Sequence, residues 1–197
     1  MRILMIVGWL FVGLGGVIFH YGPGQEYLEI DRVDRLLGQA NALVEGEDWA
    51  GAVELFDQVL GDLPSEKVAE SRSVQLEKAK CQMMSAQLPE ARLSLQTLLD
   101  DVREDEIADP TFVAEVQSAL ANSQYYTTWL MRLEGMPEEE WKPEIEAARQ
   151  HYTQLALDAK AAGDSELVKR NAEDLESAVR LARMDLAELQ GLPLPSQ

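Results

Sequence analysis

The sequence predicts an all-α protein, with one N-terminal transmembrane helix followed by a domain of antiparallel helix pairs. Two observations lead to this prediction. Residues 3–20 read ILMIVGWLFVGLGGVIFH, and no charged residue lies between Arg2 and Glu26. From Glu26 onward, apolar residues recur at spacings of three and four, which is the period of one helix face. No segment shows a convincing strand pattern.

The first apolar run has the length of a membrane span. At about 1.5 Å per residue, some 18 to 20 apolar residues cross a hydrocarbon core of roughly 30 Å. We interpret residues 1–22 as an uncleaved signal anchor. A cleaved signal peptide is the alternative, but only Met1 and Arg2 precede the long run, and residues 19–23 lack a small-x-small cleavage pattern.

The charges beside the span predict its orientation. Arg2 and the α-amino group precede it, whereas Glu26, Glu29 and Asp31 follow it. The positive-inside rule therefore places the N-terminus inside and the domain on the exported side. The expected location is a bacterial inner membrane, crossed once, with a periplasmic domain. Glycines within the span suit close helix approach, so homo-oligomerisation is a further hypothesis, although glycine is common in transmembrane helices anyway.

Composition excludes some classes of partner. The chain of 197 residues has 17 Lys and Arg against 35 Asp and Glu, and after residue 22 there are 16 basic and 35 acidic side chains. Such a surface repels phosphate backbones and anionic headgroups, so we expect no nucleic-acid binding. Cys81 is the only cysteine, which rules out an intrachain disulfide. We interpret it as a small packed hydrophobe.

Glycines, prolines and capping residues divide the domain into helices. Gly22-Pro23-Gly24 breaks the chain after the span, and residues 23–33 are a linker and the start of the first soluble helix. The remaining helix boundaries are predicted from caps and breakers. The first helix is predicted to stop at Gly46. The later helices are predicted over 49–60, 65–85, 90–102, 110–134, 143–162 and 165–190. Ser65 and Asp109 are the predicted N-caps of the second and fourth of these, and Gly163 ends the fifth.

The segment LLGQANALVEGEDWAGAVELFDQVLGDLP resembles a tetratricopeptide repeat. Ala40 and Ala52 match the small residues that pack between the two helices of such a repeat, and Phe56 matches the aromatic wedge. Asp48-Trp49 matches the acidic-aromatic opening of the second helix, and Pro64 the terminating proline. Two positions depart from the pattern: Val59 replaces an alanine, and Gly46 lies one place early.

Later units fit the pattern more loosely. In LEKAKCQMMSAQLPEARLSLQTLLDD, Ala79 and Ala91 match the small pair, but Ala91 follows Ala52 by 39 residues, against a family period of about 34. The third unit is interrupted by the insert LEGMPEEEWKP. The resemblance implies an α-solenoid of tetratricopeptide-like repeats over 34–163, with units at 34–64, 66–102 and 110–163. Residues 164–190 are then a capping helix, because end repeats need a polar outer face. Residues 191–197 form a tail. An irregular array of helical hairpins is the alternative.

Catalytic patterns are missing from the sequence. His20 and His151 are the only histidines, too few for a zinc site, and no phosphate-binding glycine loop or nucleophile elbow is present. The acidic run 100–109 lacks the alternation and glycine of a calcium loop, so a solvated loop is the preferred interpretation. We predict no catalytic residues, no enzymatic activity, no cofactor and no metal.

The resemblance implies that a partner protein binds to a concave face lined by the first helix of each pair. A tryptophan pair beside the insert is a further candidate for partner contact, or alternatively fills the junction with the last helices. The methionines could equally belong to the core. The candidate partner-binding residues are Asn41, Val44, Glu45, Lys80, Met83, Met84, Trp129 and Trp141.

One known ligand class of these repeats is disfavoured. Chaperone-binding members hold acidic tails with a lysine–asparagine clamp. Asn41 lies at a clamp position, but Leu37 occupies the matching lysine position.

The functional hypothesis is a membrane-tethered scaffold or adaptor that binds an unidentified protein. The alternative is a structural accessory subunit of a larger envelope complex, assembled partly through its transmembrane helix.

Overall fold

The computed structural model describes residues 23–190, with side chains from residue 31 to residue 189. This part of the chain forms eight helices and no strand. The helices are α1 (Pro23–Glu45), α2 (Trp49–Asp62), α3 (Val68–Met84), α4 (Leu88–Glu104), α5 (Pro110–Leu133), α6 (Glu138–Ala162), α7 (Ser165–Arg183) and α8 (Leu186–Gln190). The predicted all-α class is therefore confirmed over the described residues, with helices packed in consecutive pairs.

The predicted membrane span and tail lie outside the described residues. Across residues 23–190, the structure contains no helix with both the length and the apolar character needed to cross a bilayer. The anchor over 1–22, its orientation and the tail over 191–197 stay predictions.

Several helix ends form as the capping residues predict. The carboxylate of Asp109 accepts a hydrogen bond from the Thr111 amide at 3.0 Å, which caps α5. Gly163 ends α6 in the left-handed conformation, with φ of 77°, where an L side chain would be strained. Asp164 then caps α7 by accepting from the Glu166 and Leu167 amides.

Two predicted helix starts are wrong. Helix α3 begins at Val68 and not after Ser65, because the Lys67 amide first closes a turn onto the Pro64 carbonyl at 3.0 Å. Helix α6 begins at Glu138, so most of the insert is helical and Pro143 lies inside the helix. Three glutamates in the first turn favour this early start at the positive end of the helix dipole. Pro143 leaves the Glu139 carbonyl without its intrahelical donor, and Glu139 is exposed to water.

The predicted final helix over 165–190 is also interrupted. Helix α7 ends at Arg183, and α8 starts after Asp185. The Asp185 carboxylate accepts from the Glu188 amide at 2.7 Å, and the Glu188 carboxylate accepts from the Asp185 amide at 3.1 Å. This reciprocal pair is a capping box, which starts a new helix at a point where an uninterrupted one was expected.

The chain divides into two compact units, residues 1–74 and 75–197, with the boundary inside α3. In the described part of the first unit, α1 packs against α2. Arg32 on α1 also forms an ion pair with Asp62 on α2 at 2.9 Å. The buried apolar side chains of these two helices are Val33, Leu36, Ala40, Ala52, Val53, Phe56 and Val59.

The second unit has two apolar clusters that share α5. The first cluster joins α3, α4 and α5 and contains Leu76, Ala79, Leu95, Leu98, Leu99, Val102, Val116, Ala119 and Leu120. The second cluster joins α5 to α8 and contains Ala121, Trp129, Ile145, Ala148, Tyr152, Leu155, Ala178, Leu181 and Leu189. Helix α5 is therefore the central helix of this unit.

A buried polar side chain also connects three of these helices. Gln117 on α5 accepts a hydrogen bond from the Arg103 guanidinium on α4 at 2.7 Å. Its amide nitrogen donates to the main-chain carbonyl of His151 on α6 at 3.2 Å. Both ends of the side chain are thus satisfied, as burial of an amide requires.

The first cluster generates a stability prediction with a matched control on one helix. Leu99 is 0% exposed and Leu93 is 60% exposed, and both lie on α4. We expect Leu99→Ala to lower the free energy of unfolding by about 2–5 kcal/mol, because it removes buried apolar surface and leaves a cavity. Leu93→Ala should change it by less than about 0.5 kcal/mol. Guanidinium denaturation followed by circular dichroism measures both, and equal effects would contradict the assigned packing.

Candidate functional site

A groove of about 750 Å³ lies within the second unit, between α3, α5, α6 and α7. Helix α5 contributes residues from Pro110 to Tyr126 and so forms its floor. This stretch is about 24 Å long at the rise of an α-helix. The lining side chains are Lys80, Met83, Met84, Pro110, Thr111, Ala114, Glu115, Ser118, Ala119, Asn122, Tyr126, Leu155, Asp158, Ala159, Ala162, Leu167, Arg170 and Asn171.

The groove exists because one face of α5 carries short side chains. Ala114, Ser118 and Asn122 recur at a spacing of four and therefore lie along one side of the helix. They do not fill the space between the neighbouring helices. Met83 and Met84 of α3 line the groove beside this floor, as do Leu155 and Ala159 of α6. The groove is thus mostly apolar, which is typical of binding sites for apolar groups.

Lys80 is held at the groove by two carboxylates. Its Nζ lies 2.7 Å from an oxygen of Glu77 and 2.7 Å from an oxygen of Glu115. Burial lowers the pKa of Lys80, but the hydrogen bonds with Glu115 and Glu77 outweigh it and raise the pKa overall. The lysine is therefore a charged and paired group, not a candidate base.

Asn171 is the most unusual polar side chain of the groove. It is only 5% exposed, yet it has no hydrogen-bond partner among the residues that the structure describes. Nearby, the Tyr152 hydroxyl donates to Asn122 Oδ1 at 2.6 Å. Its amide atoms are not fully buried, so Asn171 can form hydrogen bonds with water or with a ligand in the groove.

A group of tyrosines lies near Asp174 on α7. Tyr126 lines the groove, and its ring meets that of Tyr125 edge-on with centroids 5.6 Å apart. Burial, followed by the negative charge of Asp174, raises the pKa of Tyr126. Burial also raises the pKa of the Asp174 carboxyl, which Arg170 only partly offsets. The tyrosine phenols are therefore neutral hydrogen-bonding groups at physiological pH.

The structure places the sequence-predicted site residues in three regions. Lys80, Met83 and Met84 line the groove of the second unit. Asn41 and Glu45 are exposed and Val44 is half-buried on α1, in the first unit.

The two tryptophans lie in or against the second apolar cluster. Trp129 is 7% exposed, and Trp141 packs against that cluster. The Arg132 guanidinium lies 4.7 Å from the ring centroid of Trp141 and donates to the main-chain carbonyls of Leu181 and Met184. This placement agrees with the alternative interpretation, in which the tryptophans fill the junction with the last helices.

Sequence reasoning missed the contributions of α6 and α7 to the groove. Helix α7 was interpreted as a polar cap. However, Leu167 and Asn171 are four residues apart and so share one helix face. This spacing was the only sequence pattern that pointed to a groove-lining face on α7. The pattern is weak, because an asparagine on a charged helix is usually solvated.

The remaining reactive side chains are the buried Cys81 and the half-buried His151. Burial raises the pKa of the Cys81 thiol to about 11, so the thiolate is scarce at neutral pH. Burial, followed by the charge of Arg103, lowers the pKa of His151. Within the described residues, no three His, Cys, Asp or Glu side chains are grouped so as to hold a metal ion.

Comparisons with family models, with curated proteins and with solved structures found no match for this chain. The interpretation of the groove therefore depends on its own geometry and chemistry.

Asp174 generates a prediction about pH. Its folded-state pKa lies above the unfolded value, so folding binds a proton in the pH window between the two. The free energy of unfolding therefore falls as pH rises through that window. We expect Asp174→Asn to stabilise the protein at pH 7 relative to the unmodified chain.

The difference should disappear at a pH below both values, where Asp174 is protonated in either state. Denaturant midpoints measured across this pH range provide the test. Glu106→Gln is the control, because Glu106 is an exposed acidic residue of the same unit that is not among the causes of the raised pKa at Asp174. An Asp174→Asn effect that is constant with pH would contradict the assigned cause.

Proposed function

We propose that this protein is a membrane-tethered scaffold whose helical domain binds a partner protein at the membrane surface. In this proposal residues 3–20 anchor the chain in a bacterial inner membrane, and the domain lies on the periplasmic side. The observation that carries the proposal is the apolar groove of the second unit. Three residues expected to face a partner, Lys80, Met83 and Met84, line that groove.

Packing within the helix pairs supports a tetratricopeptide-like solenoid as part of the proposal. Ala40 and Ala52, the predicted small pair of the first unit, are both 0% exposed on helices that pack together. Ala79 and Ala91 are likewise buried on α3 and α4. Small residues at such positions let two helix axes approach closely. The same contacts are compatible with helical hairpins outside that family.

The chemistry of the groove favours binding over catalysis. Its described lining residues include no cysteine and no histidine, and its lysine is a charged group paired with two carboxylates. Flexible methionine side chains adapt to different apolar shapes, which suits a recognition surface. A fixed constellation of nucleophile and base, as enzymes need, is not part of the described groove.

The proposed function predicts that a partner follows the domain without the span. Full-length protein and a chain lacking residues 1–22 would each be purified by affinity from mild-detergent extracts. We expect the same partner with both chains, because the groove lies entirely within residues 80–171. Partners that appear only with the full-length chain would favour the alternative, a structural subunit assembled through its transmembrane helix.

The proposed location predicts the outcome of a topology assay. A reporter that is active only in the cytosol, fused after Gln197, should be inactive, because the positive-inside rule exports the domain. A reporter active only after export should be active at the same position. The opposite pair of results would overturn the periplasmic location and leave the binding proposal standing.

A further inference from the structure

The length and the short side chains of the groove floor indicate what kind of segment fits it. The α5 floor is about 24 Å long, which equals the length of about 16 helical residues. Its short side chains, Ala114, Ser118 and Ala119, permit another helix to approach closely. An extended peptide would not fill a trough of about 750 Å³ as well, because a single strand presents a narrower apolar face than a helix.

Two capping carboxylates lie beside one end of the groove. Asp109 caps α5 at the end where Pro110 and Thr111 line the groove. Asp164 caps α7 one turn before Leu167, which lines the same groove.

Other charged groups at the groove do not cancel this acidity. Asp158 lies on the rim, where it accepts from Gln154. Lys80 is neutralised by its own carboxylates, which leaves Arg170 as the basic lining residue without an ion pair among the described residues. The residues from 75 onward carry 23 acidic side chains against 12 basic ones. A partner with basic residues at one end is therefore complementary in charge.

Asn171 adds a specific polar contact to the otherwise apolar groove. Its side chain is nearly buried and has no hydrogen-bond partner in the described part of the chain. The amide atoms themselves keep access to the groove, so they can both donate to and accept from a bound group. A single glutamine, asparagine, serine or threonine on the apolar face of a bound helix would satisfy it and fix the register of binding.

We infer that the groove between α3, α5, α6 and α7 binds one amphipathic helix of a partner protein, with basic residues at one end and one hydrogen-bonding side chain opposite Asn171. This inference rests on the proposed function, because it names the partner segment of the same groove. In this mode of binding, apolar residues at positions i, i+3, i+4 and i+7 of the partner helix pack into the groove.

A synthetic helical peptide of about 18 residues tests the inference. It carries leucine and alanine on one face, a central glutamine on that face, and lysines at one end. Full-length protein in zwitterionic lipid nanodiscs is titrated against the labelled peptide, and fluorescence anisotropy reports binding, with empty nanodiscs as the blank. We expect saturable binding that weakens at least tenfold when the lysines are replaced by glutamates.

Two variants of the protein test whether the peptide occupies the groove. Ala162 lines the groove, whereas its neighbour Ala161 is exposed and does not. Ala162→Trp should weaken binding at least tenfold by occupying the groove, and Ala161→Trp should leave it unchanged. Equal binding by both variants would overturn the inference.

The Asn171 contact is tested by pairing variants of both partners. Asn171→Ala should weaken binding of the glutamine peptide several-fold, and it should not weaken a peptide with leucine at that position. Asn171→Ser serves as a second variant if the alanine variant has an altered circular dichroism spectrum. Equal losses for the two peptides would remove Asn171 from the recognition.

A peptide with two central prolines on its solvent face tests the helical conformation. If it binds as tightly as the parent, an extended segment occupies the groove, and the inference is wrong.

A last experiment separates the proposed function from the helical conformation of the bound segment. The Ala162→Trp variant is used to capture the partner from detergent extracts. If the variant loses the partner but no helical peptide binds the unmodified protein, the groove binds a partner and the bound segment is not a helix.

Discussion

Helix α5 is the constraint on which the second unit depends, because it must satisfy three environments at once. Val116 and Leu120 point into the cluster with α3 and α4, and Ala121 and Trp129 belong to the cluster with α6, α7 and α8. The third side carries the short side chains that leave the groove open. A helix surrounded in this way tolerates few changes in residue size, since an added volume on any side displaces packed neighbours.

The groove follows from this distribution of side-chain sizes and not from a special loop or ligand site. Val116, Leu120 and Trp129 of α5 fill the two clusters, whereas Ala114, Ser118 and Asn122 lie along the side where the groove is open. Met83, Met84 and Leu155 then give the open side an apolar character. The polar groups that line it are either paired, as Lys80 is with Glu115 at 2.7 Å, or without a partner, as Asn171 is among the described residues.

The sequence predicted the helical class and many helix ends, because periodicity and caps are local signals. Asp109 and Gly163 act as predicted, since a cap needs only its neighbouring residues. The start of α6 before Pro143 and the break at Asp185 were not predicted, because each residue is compatible with two local structures and its surroundings decide between them. The groove was predicted only on its α3 side. The roles of Ala159 and Asn171 depend on which helices stand beside α5, and that information is not local in the sequence.

Gln117 gives the second unit a property that apolar packing alone does not supply. The burial of apolar surface is non-directional, so it specifies the register of two helices less strictly than a hydrogen bond does. The Gln117 side chain has one acceptor matched to Arg103 and one donor matched to the His151 carbonyl. A slipped arrangement would bury an amide without either partner. The two hydrogen bonds of Gln117 therefore favour one register of α4, α5 and α6 over others that the apolar surfaces alone would accept.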